Sequence, residues 1–137
     1  MTADQQRIYA DTSALVKLLV DEPETTALKQ ALRPGDRLIT SRLSTVEVGR
    51  AVSLHTQEPD AIAGADRLLE ECDLVEISAQ VLTRARSLAS RELRSLDAIH
   101  LATAVHVEAT HLLSYDRRQL AAAADLGLEL SHPGLTL

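Results

Sequence analysis

Short apolar runs alternating with longer helical stretches set the tightest limit on what this chain can fold into. The runs are Ile8-Tyr9-Ala10, Leu38-Ile39-Thr40, Leu74-Val75-Glu76-Ile77, Leu112-Leu113-Ser114 and the weaker Leu128-Glu129-Leu130. Each is too short for a helix and mostly apolar rather than alternating, the pattern of strands buried on both faces of a parallel sheet. The stretches between them read as helices near 13–20, 24–33, 42–55, 60–72, 79–91, 96–108 and 117–126. Turn residues punctuate them. Asp21-Glu22-Pro23-Glu24 predicts a helix start with Asp21 as its cap. Pro34-Gly35 ends that helix, Pro59-Asp60 opens another, and Gly127 closes the last. Strands alternating with helices predict an α/β sandwich around a mostly parallel sheet. The two-helix insertions suit a helical cap or a dimer surface better than a simple nucleotide fold. No repeat, linker or low-complexity tract interrupts the pattern, so residues 1–137 read as one domain.

An apolar fraction of 45% is enough for a core. With no Phe or Trp, and Tyr9 and Tyr115 as the only aromatics, that core is aliphatic, and stacking platforms for single-stranded bases are scarce. The net charge of −6 argues against a protein that coats nucleic acid with a basic surface. It leaves room for an enzyme that carries its own cations. Cys72 is the single cysteine, so no internal disulfide forms, and its apolar neighbours predict a core thiol. The opening MTADQQRIYA has no apolar signal core, and Leu15 to Val20 is short and broken by Lys17. A soluble, cytoplasmic protein with no membrane contact is the expectation.

Four carboxylates stand out from this background. Asp11 directly follows the first strand run, and Asp116 follows the fourth just beyond Tyr115. Ligands of open parallel sheets bind at the C-terminal strand ends. Helix capping explains each of these two acids equally well: Asp11-Thr12-Ser13 is a good cap and Asp116-Arg117-Arg118-Gln119 a good capping box. Glu47 is harder to dismiss. On a helix it shares a face with Leu43, Ala51 and Leu54, and a carboxylate in an apolar stripe is costly unless paired or bound to a metal. Arg50, three residues on, is its candidate ion-pair partner. Asp97 falls in the first turn of Leu96-Asp97-Ala98-Ile99-His100-Leu101-Ala102-Thr103-Ala104-Val105, apolar nearly all round and so a buried helix, with Ser95 as a plausible cap. His100 reads as structural or as a support to the acids rather than a direct ligand. Acids without His or Cys partners imply a hard cation, Mg²⁺ with Mn²⁺ as a substitute, and hydrolysis of a phosphate ester.

At these residues the sequence resembles the PIN-domain family, and within it the VapC-type ribonuclease toxins of bacterial toxin–antitoxin pairs. Four pieces carry the resemblance, in order and over nearly the whole chain. They are Tyr9-Ala10-Asp11-Thr12-Ser13-Ala14-Leu15, Ser41 through Thr45-Val46-Glu47, Leu96 through Ala104, and Leu113-Ser114-Tyr115-Asp116. The few residues before Arg7 are peripheral to it. The resemblance implies a PIN-like three-layer α/β/α sandwich on a five-stranded, mostly parallel sheet. It implies a Mg²⁺ site with Asp11 and Asp97 as the firmest ligands, Glu47 and Asp116 completing it directly or through water, and Ser114 in support. It also implies metal-assisted attack of water on RNA, a homodimer, and a cognate antitoxin that occludes the pocket. The RNA stays open among tRNA, ribosomal RNA and mRNA.

Other readings compete. A phosphoacceptor receiver domain needs a Lys near the end of a late strand, and none follows Lys29. A small-molecule metal phosphatase of one superfamily needs an Asp-x-Asp strand end, which is missing. A non-toxin PIN nuclease or a catalytically inactive PIN-fold binding module stays open, although four intact acids argue against decay. Of the arginine clusters, Arg117 and Arg118 adjoin Asp116 and are best placed to hold RNA. Arg84/Arg86 and Arg91/Arg94 read as solvated helix faces.

Overall fold

A computed structural model describes residues 6–137; the opening residues, expected above to lack a signal core, lie outside that range up to Gln6. The order is β1 (Ile8–Ala10), α1 (Thr12–Lys17), α2 (Thr25–Ala31), β2 (Ile39–Ser41), α3 (Leu43–His55), α4 (Pro59–Glu70), β3 (Asp73–Val75), α5 (Ala79–Arg86), α6 (Ser95–His106), β4 (His111–Leu113), α7 (Arg117–Asp125) and β5 (Glu129–Ser131). All five strands are parallel, in the order β3-β2-β1-β4-β5. The chain builds outward from β1 through β2 to β3, then returns to place β4 on the other side of β1. The sheet's topological switch point therefore lies between β1 and β4, which pair Ile8 with His111 and Ala10 with Leu113.

Alternation along the strands splits the core in two. Ala10, Leu38 and Leu113 face α1 to α4, where they meet Leu15, Leu28, Val48, Val52 and Leu69. Tyr9, Ile39 and Leu112 face the opposite way, toward Leu101, Ala104, Leu120 and Ala123 of α6 and α7. The three-layer sandwich is thus dictated by which side of each short strand a residue occupies. The helix pair α3–α4, expected as a cap or a dimer surface, packs Val48, Val52, Ala65 and Leu69 into the first of these core halves. Cys72 is buried there, and burial pushes its thiol up to about 11, which leaves it unreactive.

Three sequence expectations need correction. Burial on both faces holds for the central strands only. The edge strands β3 and β5 expose Asp73 and Glu129, which pair with Arg37 and His111. Charged edges discourage pairing with another chain. Asp21 does not cap α2. The Thr25 hydroxyl accepts the Glu22 N–H at 2.9 Å and donates to the Lys17 carbonyl at 2.8 Å, so the turn is organised from inside the helix and α2 begins at Thr25. Ser95 is the first residue of α6 rather than its cap. Arg94 holds the cap position, without a side-chain cap bond.

Candidate active site

Asp11 leaves β1 in an extended conformation and caps α1, its Oδ1 accepting from the Ala14 N–H at 3.1 Å. The cap is only part of its surroundings. Ser13 donates to Oδ1 at 2.6 Å, and Ser114, just past β4, donates to Oδ2 at 2.5 Å. The same hydroxyls accept backbone N–H groups from the β4–α7 loop, Ser13 from Tyr115 and Ser114 from Asp116. Two serines therefore stitch the ends of β1 and β4 together around one carboxylate. Burial pushes the Asp11 carboxyl above its usual range, and the Ser114 and Ser13 bonds oppose it.

Glu47 points into the same space from α3. The buried face of that helix is Ser44, Val48 and Val52, with Glu47 beside it and Leu54 85% exposed, so the expected stripe of Leu43, Glu47, Ala51 and Leu54 is a flank rather than the core face. Arg50 is not its partner. Glu47 Oε1 accepts from the Thr12 hydroxyl at 2.6 Å and from His100 Nε2 at 2.6 Å. His100 is buried, and its Nδ1 lies 2.7 Å from the Tyr9 hydroxyl, which accepts the Ser41 N–H at 3.1 Å. With the Tyr9 O–H donated to Nδ1, the imidazole proton sits on Nε2 and is given to Glu47. Burial would raise Glu47, but the His100 and Thr12 bonds outweigh it and hold the carboxyl below its usual range.

Asp97 and Asp116 enter from the starts of α6 and α7. Asp116 caps α7, accepting from Arg118 N at 2.9 Å and Gln119 N at 3.3 Å. The expected capping box is only half formed. The Asp116 N–H goes to Ser114, and the Gln119 amide, though buried, has no hydrogen-bond partner among the described residues. Asp97 is half-buried and accepts from no side chain among the described residues. Its carboxyl is raised, first by burial and next by the negative charge of Asp116, with Glu47 adding to it.

All four predicted acids line one cavity of about 420 Å³, together with Thr12, Ser13, His100 and Tyr115. It opens at the C-terminal end of β1 and β4, at the switch point. Glu47, Asp97 and Asp116 also wall a second cavity of about 540 Å³, which Arg94 and Arg118 line. Lys17, buried against the Tyr115 ring with Nζ 4.8 Å from its centre, also lines the first cavity and pairs with Glu24 at 3.2 Å.

The donor set suits a hard cation. Every candidate ligand is a carboxylate oxygen, both nitrogens of His100 are engaged, and Asp116 and Glu47 raise the proton affinity of Asp97. Among the described residues, no three His, Cys, Asp or Glu side chains converge tightly enough to hold an ion by themselves. An all-oxygen set of this kind fits a hard divalent cation better than one that wants nitrogen or sulfur ligands.

Sequence reading missed Tyr9, Thr12 and Ser13. The two hydroxyl residues look like ordinary capping types, and Tyr9 like an ordinary core aromatic. Ser114 and His100 were anticipated as supports, and the bonds to Asp11 and Glu47 give each a specific target.

The PIN domain profile matches residues 8–126. Ribonuclease VapC46 of Mycobacterium tuberculosis (strain ATCC 25618 / H37Rv) is 44% identical over 128 residues, spanning 92% of this chain and 97% of that protein. Among solved structures, Mycobacterium tuberculosis VapC20, a sarcin-ricin loop cleaving toxin, superposes with a TM-score of 0.69 at 19% identity over 84% of this chain and 94% of that one. A chain of a toxin–antitoxin complex from Klebsiella pneumoniae superposes with a TM-score of 0.65 at 21% identity, over 85% and 91%. At those identities the structural matches speak to the fold alone. The profile spans all four acids that the fold assembles, the sequence relative spans nearly the whole chain, and the chain belongs to the PIN domain family.

Proposed function

We propose that this chain is a Mg²⁺-dependent endoribonuclease, with Mn²⁺ as a substitute ion, and the toxin of a toxin–antitoxin pair. One observation carries the reading: four carboxylates from four separate segments line one cavity at the switch point of a parallel sheet, and the negative charge that Asp116 and Glu47 place on Asp97 favours a dication. The ribonuclease name of the 44%-identical relative supports the choice of RNA. In this reading Asp11 and Asp97 bind the ion, and Glu47 and Asp116 complete its surroundings directly or through water. The bound ion supplies Lewis acidity at the phosphodiester and a more acidic water. Asp11 is held as an oriented acceptor by Ser13 and Ser114. Glu47, kept anionic by His100 and Thr12, offers its second oxygen to the cavity and can take a proton from an attacking water.

An antitoxin is the proposed partner, on the precedent of the Klebsiella pneumoniae complex. An acidic cavity invites a basic side chain from such a protein. Val46 and Leu54, 59% and 85% exposed on α3, the helix that carries Glu47, offer it an apolar surface. A homodimer and a cytoplasmic setting belong to the same proposal; no helix among the described residues is long and apolar enough to cross a membrane. The substrate class stays at tRNA, ribosomal RNA or mRNA.

The test is to incubate the purified protein with bulk bacterial RNA, with Mg²⁺ and then with EDTA, and to sequence the new RNA ends. Cleavage that needs the ion and falls to background in Asp11→Asn and Asp97→Asn supports the reading. Equal cleavage by the double variant removes the site assignment. Growth arrest on expression, relieved by a co-expressed partner, tests the toxin half. Harmless expression of a metal-binding protein would point to a non-toxin nuclease or an inactive binding module.

A further inference from the structure

The two cavities at the sheet end share a wall of Glu47, Asp97 and Asp116, but their other walls differ in charge. Asp11 lines only the first, while Arg94, Ser95, Leu96 and Arg118 line the second. Neither guanidinium makes an ion pair or hydrogen bond among the described residues, although three carboxylates line the same cavity. Their neighbour Arg117 behaves differently. It turns away and donates through Nη2 to the Thr136 carbonyl at 3.1 Å. The sequence expectation that paired Arg117 with Arg118 and set Arg94 aside is thus rearranged by the fold.

Helix stability does not account for the placement of these two arginines. Arg94 caps α6 and Arg118 is the second residue of α7, and a cation at a helix N-terminus opposes the helix dipole. An anion held there satisfies both guanidiniums. The planar fork of Arg matches phosphate oxygens with two parallel bonds. A chain of net charge −6 with an acidic cavity also repels a polyanion, so local positive charge must offset that repulsion wherever one docks.

We propose that Arg94 and Arg118 together bind a phosphate of the RNA strand next to the one that is cut, in the second cavity, while the acids serve the scissile phosphate in the first. The proposal rests on the ribonuclease reading and names the residues that hold its substrate in register.

Fluorescence anisotropy with a short labelled mixed-sequence RNA in EDTA, at several KCl concentrations, tests it. Arg94→Ala and Arg118→Ala should each weaken binding about tenfold, the loss of one charge-assisted phosphate contact. Each should also make the slope of log affinity against log salt shallower by about one. Arg117→Ala should leave both unchanged, and lysine at 94 or 118 should restore the salt slope more fully than the affinity. Equal losses in all three alanine variants would mean diffuse positive charge and no site, and unchanged affinity in Arg94→Ala and Arg118→Ala would overturn the proposal as directly. Cleavage of bulk RNA in Mg²⁺, run alongside, reports separately on the ribonuclease reading. A protein that binds RNA through these two arginines but cuts nothing would keep the site and lose the enzyme.

Discussion

The acidic cavity has two unlike halves. Asp11 and Glu47 are held by side chains: three oxygens of the two carboxylates are engaged by Ser13, Ser114, Thr12 and His100. Asp97 and Asp116 receive no side-chain donor among the described residues and rely on backbone N–H groups at helix starts. The held half has its geometry fixed before any ion arrives. In the open half the charge of Asp116 raises Asp97, so that half gains most from a cation. Preorganisation on one side and adaptability on the other suit a site that grips an ion.

In a cleavage assay, replacing the proposed ligands themselves does not separate the halves, because loss of either is expected to abolish activity. Removing what holds them does. The largest effect is expected from His100→Leu. It takes the Nε2–H from Glu47 and leaves the Tyr9 hydroxyl without an acceptor in the core, a buried unsatisfied group costing about 1–3 kcal/mol. Loss of a group that orients a ligand should lower activity about 10–100-fold. Urea denaturation and initial cleavage rates would measure the two effects. A variant as stable and active as the parent would show that the Tyr9–His100–Glu47 chain holds nothing.

Ser114→Ala should come next. It removes one of two hydroxyl donors to Asp11 and the acceptor of the Asp116 N–H, so it touches both halves at once. About tenfold lower activity is expected, with a higher Mg²⁺ concentration needed for half the maximal rate. Ser13→Ala should act similarly but leave Asp116 alone. If the two serines proved indistinguishable in Mg²⁺ dependence, the link from Ser114 to the open half would carry no weight.

Most of what was legible in the sequence follows from distance along the chain, Ser13, two residues from Asp11, being the exception. The central strands announced themselves because residues buried on both faces are apolar without alternation. The four acids stood out because each broke an apolar or strand-end pattern. Their partners did not. Tyr9 and His100 are 91 residues apart, His100 and Glu47 are 53 apart, and Thr12 and Glu47 are 35 apart. Local reading paired Glu47 with Arg50 because helix periodicity sees only three or four residues away. The edge strands and the caps at Asp21 and Ser95 were misread for a related reason. Their outcome depends on what stands alongside: a sheet edge with no further strand in one case, and in another the Thr25 hydroxyl, which takes the Glu22 N–H and reaches back to the Lys17 carbonyl.

The two halves should also respond to pH with opposite signs. The folded-state value of Asp97 is raised, so its contribution to stability is fully present below its unfolded value near 3.8 and is lost as pH climbs through the folded one. At neutral pH without metal its charge is a liability. Asp97→Asn should raise Tm there by about 1–2 °C, a small gain because the group is half exposed and screened. The gain should vanish in acid and shrink in Mg²⁺. Glu47 is held below its usual value, so its contribution is present above its unfolded value near 4.5 and is lost as pH falls through the folded one. Glu47→Gln should therefore lower Tm at neutral pH and cost nothing in acid. Melting curves from pH 3 to pH 8 in EDTA would show it, and shifts of the same sign in both variants would erase the distinction between the halves.

The smallest effect is the one that local reasoning would have made large. An ion pair between Glu47 and Arg50 is what helix spacing offers, and Arg50→Ala would then loosen Glu47. In the fold, Arg50 is exposed and Glu47 is engaged across the sheet end by Thr12 and His100. Arg50→Ala should change stability by no more than about 0.5 kcal/mol and leave cleavage and Mg²⁺ dependence as they were. A clear rise in the Mg²⁺ requirement would mean that Glu47 spends part of its time turned toward Arg50. The held half would then be less fixed than its hydrogen bonds imply, and the contrast with Asp97 and Asp116 would narrow accordingly.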